Sequence, residues 1–357
     1  MSSPIPSTAV EDAGFRGELF LPAARPLSPL PSPLSLRSAA SDPDRLPSPA
    51  SSVFSPAPSP ESRPASLSRQ ARASSDHDDG RCRQVRAAAG TALVIMPSSA
   101  GVCDTRERFY ARFFADRGFT CLICDALGRR GISECMTDQS VLSDLDMLSD
   151  ARAAWSWLAG RGFARVGILG ASKGGQCALN AALAEVPGLP PFPGRFAFHL
   201  CLCPACAVEP RRAAAAGGPV LVLCGGRDDY TGSARAFALA ARLRGARVET
   251  RLLPEACHAW ESLGEPRFFA AAETYAHCRF FREEDGSLTD ADTGENMSPP
   301  EFARHLRARA RLGAHAGGGT PELRLRGCSV MLDFLVRHGF AAAGTDLPER
   351  PGGGPHE

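Results

Sequence analysis

The chain has 357 residues, 44% of them hydrophobic, so it is long enough to bury one large core and to carry additional segments. Its 40 basic and 39 acidic residues give a formal net charge of +1, which argues against nucleic acid or an anionic membrane surface as a partner. No apolar run approaches the roughly 18 residues that a membrane span needs, so we expect no membrane span.

The N-terminal part contains one strand-like segment and then a stretch of biased composition. Residues 14–22, GFRGELFLP, predict a short strand or hairpin arm. From residue 23 onward Ser, Pro, Arg and Ala dominate, and we expect disorder because few large apolar residues are available to offset the entropy of ordering. The acidic residues Glu11, Asp12 and Glu18 argue against a secretory signal and leave an organellar presequence only weakly supported.

From residue 91 strand-like and helix-like segments alternate. Buried parallel strands are predicted by near-continuous apolar runs at 92–96, 119–124, 165–169, 196–202, 219–224 and 248–253. Segments of helical period lie at 106–117, 145–158, 176–184 and 233–243. This alternation predicts an α/β fold with a doubly wound, mostly parallel sheet, whose reactive groups lie at the carboxyl ends of the strands.

The pattern becomes less regular after residue 258. The acidic segment 283–295, EEDGSLTDADTGE, lacks the residue order of a calcium loop and is interpreted as a polar hairpin or loop. Residues 326–338, RGCSVMLDFLVRH, predict an amphipathic closing helix. The glycine- and proline-rich residues 341–357 are expected to form a flexible tail.

The segment 165–176, RVGILGASKGGQ, has the pattern of a nucleophile elbow. A strand, a turn with the order Gly-x-Ser-x-Gly and a helix follow one another, and Ser172 is the central serine. Such a turn is tight enough that a Cβ at Gly170 or Gly174 is expected to strike neighbouring backbone. The alternative is a glycine-rich strand-to-helix turn in which the serine has no chemical role.

A carboxylate and an imidazole follow two later strands, in the order Ser, Asp, His. A serine hydroxyl needs an imidazole to take its proton and a carboxylate to orient that imidazole. We predict Asp228 as the acid and leave Asp229 open as the rival for that role. If Asp229 is not the acid, it is expected to cap the following helix. His258 is the predicted base, because it is the histidine that directly follows a late strand.

The oxyanion hole is predicted to use the backbone N–H of Lys173, directly after the nucleophile, and one N–H from the loop after strand 92–96. That loop reads Pro-Ser-Ser-Ala-Gly, and Ser99 is the favoured donor, with Ser98 left open. Arg129 and Arg130 follow another strand, and the sequence leaves open whether they face the pocket or solvent.

The 13 cysteines lie mostly within apolar runs, which is typical of reduced thiols used as small core residues. We expect a reducing compartment, the cytoplasm, without excluding an organelle. Cys201, Cys203 and Cys206 resemble a metal knuckle in spacing, but no second Cys/His pair follows at zinc-site distance, so no metal is predicted.

Several motifs together resemble the dienelactone hydrolase family of the α/β-hydrolase superfamily. They are VIMPSSAGVCDTRERFYARFFADRGF, RRGISECMTDQSVLSDLDML, GASKGG, LCGGRDDYT and ACHAW, and the resemblance covers about residues 91–262. It implies an α/β-hydrolase domain at 89–340, a possible first strand within 1–22, and a low-complexity insertion at 23–88 between two early strands, which a fold tolerates because long loops cost little. The namesake enzymes use a cysteine nucleophile where this chain has Ser172, and many relatives have His-Gly where this chain has Pro97-Ser98.

These observations predict a serine hydrolase that cleaves a carboxylic ester, lactone or thioester through an acyl-enzyme on Ser172. The expected partner is a small-molecule ester or lactone, and no cofactor is expected. The alternative is an α/β-hydrolase scaffold that binds a ligand or partner without catalysis, since fold alone does not determine function. The substrate itself and the oligomeric state are not predicted.

Overall fold

The computed structural model describes residues 7–12, 14–22 and 85–343. Residues 23–84 of the predicted insertion and residues 344–357 of the predicted tail lie outside this part. Residues 85–87 and 341–343, which the sequence assigned to the insertion and the tail, instead pair as two antiparallel strands. The reason is packing, because Val85 and Ala341 are 4% and 6% exposed and belong to the hydrophobic core.

The described residues form sixteen strands and six α-helices. The strands are β1 Ser7–Asp12, β2 Phe15–Phe20, β3 Val85–Ala87, β4 Thr91–Met96, β5 Thr120–Cys124, β6 Arg165–Ala171, β7 His199–Leu202, β8 Val208–Pro210, β9 Val220–Gly225, β10 Val248–Leu253, β11 Pro266–Thr274, β12 Phe280–Arg282, β13 Leu288–Asp290, β14 Asn296–Met297, β15 Arg311–Gly317 and β16 Ala341–Ala343. The helices are α1 Glu107–Ala115, α2 Asp144–Ala159, α3 Lys173–Asn180, α4 Ala234–Arg242, α5 Pro299–Arg309 and α6 Pro321–Arg337. Two short 3₁₀ helices lie at Gly128–Arg130 and Gln139–Val141.

Eight strands form the central sheet, in the order β1-β2-β5-β4-β6-β7-β9-β10. The strands from β5 to β10 in this order are parallel to one another. β1 and β2 form an antiparallel hairpin that extends the sheet beyond β5. The predicted α/β fold with a mostly parallel sheet is therefore confirmed, and the strand-like segment at 14–22 becomes the second strand of this hairpin.

Helices cover both faces of the inner part of the sheet, which explains why the sequences of the inner strands are almost continuously apolar, whereas the edge strand β10 is largely exposed. Along β4, Val94 faces one core cluster, whereas Leu93 and Ile95 face the other, because successive side chains of a strand point to opposite sides. α2, α3 and α4 pack on the first face, and α1 and α6 pack on the second. The carboxyl ends of the parallel strands are left free for the loops that carry polar residues.

The boundaries of two helices differ from the prediction. α3 starts at Lys173, directly after the predicted nucleophile, because the sharp turn at Ser172 leads straight into the helix. α6 starts at Pro321 rather than at residue 326, because Thr320 caps it by accepting a hydrogen bond from the Leu323 N–H at 3.1 Å.

A smaller region between β10 and α6 was predicted only in outline. The acidic segment 283–295 contains β13 and the turns that connect it to β12 and β14, and these strands join β8 in a four-stranded sheet. β11 and β15 form a separate two-stranded antiparallel ribbon. α5 begins with a capping box between Ser298 and Glu301 and lies beside the 3₁₀ helix Gln139–Val141.

The cysteines of the described part are free thiols, and all of them except the half-buried Cys103 are buried. They fill small spaces in the core, as the sequence predicts. No helix of the described ranges is long and apolar enough to cross a membrane.

Candidate active site

Ser172 occupies a strained turn between β6 and α3. Its backbone has φ 58° and ψ −118°, a conformation that costs a residue with a Cβ about 1–3 kcal/mol. A Cβ at Gly170 would lie 2.1 Å from the Gly174 carbonyl oxygen, and one at Gly174 would lie 2.5 Å from the Met96 oxygen. Both glycines are therefore required by steric contact with backbone, as the elbow pattern predicts.

Asp228 and His258 meet at the carboxyl ends of β9 and β10. The His258 Nδ1–H donates to Asp228 Oδ2 at 2.8 Å, and the two side chains are 4% and 1% exposed. Asp228 also accepts hydrogen bonds from the Tyr230 and Thr231 N–H groups, both at 2.9 Å, and from the Thr231 hydroxyl at 2.8 Å. The carboxylate is thus fixed in position independently of the imidazole.

The two groups shift each other's pKa. Burial by itself would raise the pKa of Asp228, but the charge of His258 and the hydrogen bonds from its ring and from Thr231 hold that pKa well below its usual value. Burial acts on His258 in the opposite direction and lowers its pKa, but the adjacent Asp228 carboxylate outweighs this effect and raises the pKa above the ordinary 6.5. The imidazolium that forms when His258 takes a proton is therefore stabilised.

Asp229, the alternative acid, faces away from this pair. Its carboxylate accepts from His315 Nδ1 at 2.7 Å and from the His315 backbone N–H at 2.9 Å. His315 lies on β15, so Asp229 fastens the loop after β9 to the β11–β15 ribbon. The geometry favours Asp228 as the partner of His258.

The predicted oxyanion loop after β4 has one N–H that is already bonded. Ser98 donates its backbone N–H to Glu107 at 3.2 Å, and Glu107 is held in turn by Arg106 at 2.8 Å. Within the described residues, the backbone N–H groups of Ser99 and Lys173 have no acceptor. The geometry therefore favours Ser99 over Ser98 as the donor in this loop.

Gln139 brings the two predicted oxyanion residues together. Its Oε1 accepts from the Ser99 hydroxyl at 3.0 Å and from Lys173 Nζ at 3.4 Å, and its backbone oxygen accepts from the same Nζ at 3.1 Å. Sequence reasoning missed Gln139, because it lies in an irregular segment 40 residues from Ser99 and 34 residues from Lys173. By contrast, the Asp-x-x-Thr spacing of Asp228 and Thr231 was a visible signal for a side-chain-capped turn.

Two cavities adjoin Ser172. The smaller one is a narrow crevice lined by Ser172 and His258 together with Cys203, Arg106 and Glu261, so the predicted nucleophile and base both border it. A larger one, about 190 Å³, begins at Ser172 and Lys173 and continues beneath α5. Its walls are mostly apolar and include Leu142, Leu145, Val208, Leu288, Phe302 and Leu306.

The larger cavity also contains a polar group that the sequence did not indicate. Glu273, at the end of β11, accepts hydrogen bonds from the Gln139 N–H and the Tyr275 hydroxyl, both at 2.8 Å. Arg129 and Arg130 do not line this cavity, because both bind the Asp150 carboxylate on α2. Their role is to hold the loop after β5 against that helix.

Among the described residues, one cluster of three metal-ligating side chains lies close together, and it consists of Cys203, Asp228 and His258. The three cysteines considered from their spacing do not form such a cluster in the described chain, because Cys201 packs into one face of the sheet and Cys203 into the other.

The comparisons with known proteins agree with this architecture. The family model of the Dienelactone hydrolase family matches residues 81–283, more than half of the chain, and this range contains Ser172, Asp228 and His258. A search of curated proteins finds no match.

Solved structures that resemble the chain include three α/β hydrolases or esterases. Thermogutta terrifontis esterase 2 phosphoramylated by tabun is 15% identical, with 70% of this chain and 84% of that chain covered and a TM-score of 0.44. An alpha-beta serine hydrolase homologue from Coxiella burnetii is 10% identical, with 72% and 91% covered and a TM-score of 0.41. Est1E from Butyrivibrio proteoclasticus is 11% identical, with 72% and 90% covered and a TM-score of 0.39.

Identities and TM-scores this low carry no functional argument, so the assignment depends on the family model, whose match confirms the resemblance found in the sequence motifs. The chain therefore belongs to the dienelactone hydrolase family and is an ester-hydrolysing enzyme with an α/β-hydrolase fold.

Proposed function

We propose that the protein is a serine hydrolase that cleaves a small carboxylic ester, lactone or thioester through an acyl-enzyme on Ser172. The observation that carries this proposal is the buried pair in which His258 Nδ1 lies 2.8 Å from Asp228 Oδ2, with His258 and Ser172 lining one cavity. The strained turn presents Ser172 at the carboxyl edge of the sheet, where the loops carrying Asp228 and His258 also emerge.

The side chains have distinct roles in this reaction. His258 accepts the hydroxyl proton as Ser172 Oγ attacks the carbonyl carbon, and Asp228 stabilises the imidazolium. The N–H groups of Ser99 and Lys173 donate to the oxyanion of the tetrahedral intermediate. His258 then protonates the leaving alcohol or thiol, and water, activated by His258, releases the acid and regenerates Ser172. The proton and acyl transfers balance without a cofactor.

The direct test is labelling of the purified protein with a fluorophosphonate probe, which reacts covalently with activated serines. We expect labelling of the wild type, mapping of the label to the peptide that contains Ser172, and no labelling of the Ser172→Ala variant. If folded wild-type protein is not labelled, or if the label lies on another serine, the proposal is wrong. The absence of labelling would favour a non-catalytic scaffold.

The shape of the larger cavity predicts a preference among esters. Because its walls are mostly apolar, kcat/KM should rise along a series of p-nitrophenyl esters with each added acyl methylene, by up to about 4-fold per buried group, until the cavity is full. Phe302 on α5 forms part of the wall, so Phe302→Ala should move the optimum to longer acyl chains.

The matched control for this measurement is Phe281→Ala. Phe281 lies on β12 of the neighbouring small sheet, where Arg211 covers its ring, and it does not line the cavity. Its replacement should leave the chain-length optimum unchanged. An identical shift in both variants would show that the optimum reflects general loosening of this region and not the cavity wall.

A further inference from the structure

Cys203 places a thiol beside the catalytic pair. It lies at the carboxyl end of β7, is 2% exposed, and adjoins the same small cavity as Ser172 and His258. Its Sγ, one Asp228 carboxylate oxygen and one His258 ring nitrogen all lie within 4.8 Å of one another. The proposed hydrolysis uses the carboxylate and the imidazole and gives the thiol no role.

We propose that Cys203, Asp228 and His258 form an inhibitory binding site for a thiophilic divalent cation such as Zn²⁺. Thiolate, imidazole and carboxylate are the three ligand types that zinc prefers, with bonds of about 2.0–2.3 Å. Such bonds require ligand atoms roughly 3.5 Å apart in a tetrahedral site. The atoms of this cluster are already within 4.8 Å, so shifts of about 1 Å are sufficient.

The surroundings suit a cation as well as the distances do. Asp228 keeps three hydrogen bonds from Tyr230 and Thr231, so its carboxylate stays in place when the imidazole bond is broken. The Gly225 N–H points at Cys203 Sγ at 3.4 Å, so this backbone donor remains available to the sulfur when it binds a cation. One thiolate and one carboxylate neutralise a 2+ ion, so the buried site carries no net charge when it is filled.

Metal binding and catalysis exclude each other at this site. The ion takes the place of the Nδ1 proton between His258 and Asp228. That proton moves to Nε2, so His258 binds the ion as a neutral imidazole, and the thiol proton of Cys203 passes to solvent. With Nδ1 bound to the ion and Nε2 protonated, His258 has no lone pair left to accept a proton from Ser172 and ceases to act as a base. Zinc should therefore act as a reversible inhibitor that a chelator removes.

The test compares variants at controlled free zinc. The reference protein carries Cys82→Ser and Cys103→Ser, which removes a thiol outside the described residues and the half-buried described thiol. In this protein we expect buffered zinc chloride to inhibit ester hydrolysis and EDTA to restore it. In the absence of zinc, the protein that also carries Cys203→Ser should keep an activity within a few-fold of that of the reference protein. Its half-inhibitory zinc concentration should be at least about 10-fold higher.

A second readout does not require catalysis. Cadmium chloride should produce the ultraviolet absorption of a cadmium–thiolate bond in the reference protein. The same protein with Cys203→Ser added should not show this absorption. The zinc inhibition assay rests on the proposed function because it measures ester hydrolysis, whereas the cadmium absorption measures metal binding alone. Failure of the proposed function and failure of the metal site can therefore be distinguished. Circular dichroism checks folding, and Cys203→Ala replaces the serine variant if that variant unfolds. Equal zinc sensitivity with and without Cys203, or an unchanged cadmium band, would overturn the inference.

Discussion

Replacing Ser172 with alanine is expected to lower kcat for ester hydrolysis by at least about 10,000-fold. The hydroxyl is the proposed nucleophile, and loss of a triad serine removes the covalent route while leaving only the oxyanion donors and substrate binding. Steady-state and single-turnover kinetics on a p-nitrophenyl ester measure the effect. Turnover that survives in a preparation free of contaminating esterase would remove Ser172 from the mechanism.

The stability of two Ser172 variants provides the control for this experiment. Alanine keeps the Cβ that strains the turn, so Ser172→Ala should unfold at nearly the wild-type denaturant concentration. Glycine relieves the strain of φ 58° and adds some unfolded-state entropy, so Ser172→Gly should be more stable than the alanine variant by about 1 kcal/mol. Both should be inactive, which separates loss of chemistry from loss of fold.

Replacing Asp228 with asparagine is expected to lower kcat by about 10,000-fold and to move the pH profile. Asparagine cannot stabilise the imidazolium. Its amide can donate to His258 Nδ1, which favours the tautomer with the proton on Nε2, and this nitrogen then cannot accept the proton of Ser172. The chemical step should therefore be lost even though the side chain keeps its size.

The direction of the pH shift follows from the pKa of His258. The imidazole accepts the serine proton only when it is neutral, so wild-type activity should rise with pH as His258 loses its proton, with a midpoint above 6.5 because Asp228 raises that pKa. Without the carboxylate, burial dominates and lowers the pKa, so the residual activity of Asp228→Asn should rise at a midpoint below 6.5.

The pH profile of kcat/KM measures this shift, and Asp229→Asn is the matched control. Asp229 binds His315 at the surface, so its replacement should leave the midpoint where it is in the wild type. A larger shift in the Asp229 variant than in the Asp228 variant would reverse the assignment of the acid.

Local sequence patterns determined much of the fold. Apolar runs identified the parallel strands, although β10 at the edge of the sheet is largely exposed and not buried as predicted. The order of Ser172, Asp228 and His258 after three strands indicated one edge of the sheet. This succeeds because parallel strands connected through helices all end at the same edge, so a residue just past a strand has a predictable location. The need for glycine at Gly170 and Gly174 was likewise predicted from a short stretch of sequence around Ser172.

Only contacts between distant segments distinguish the alternatives that the sequence left open. Asp228 and Asp229 are adjacent in sequence, but Asp229 binds His315 on β15, which lies 86 residues further along the chain. Ser98 and Ser99 differ because Glu107 binds the Ser98 N–H. Neither partner carries a signal in the local pattern, since hydrogen bonds of this kind depend on where loops meet.

The sequence by itself thus determined the α/β architecture, the family motifs and the candidate triad. Only the tertiary structure placed Gln139 between Ser99 and Lys173, closed the apolar cavity with α5, and brought Cys203 against Asp228 and His258. The physical reason is that hydrophobic periodicity and turn chemistry act over a few residues, whereas a cavity or a side-chain cluster forms where the packing of the whole domain joins segments that are far apart in the chain.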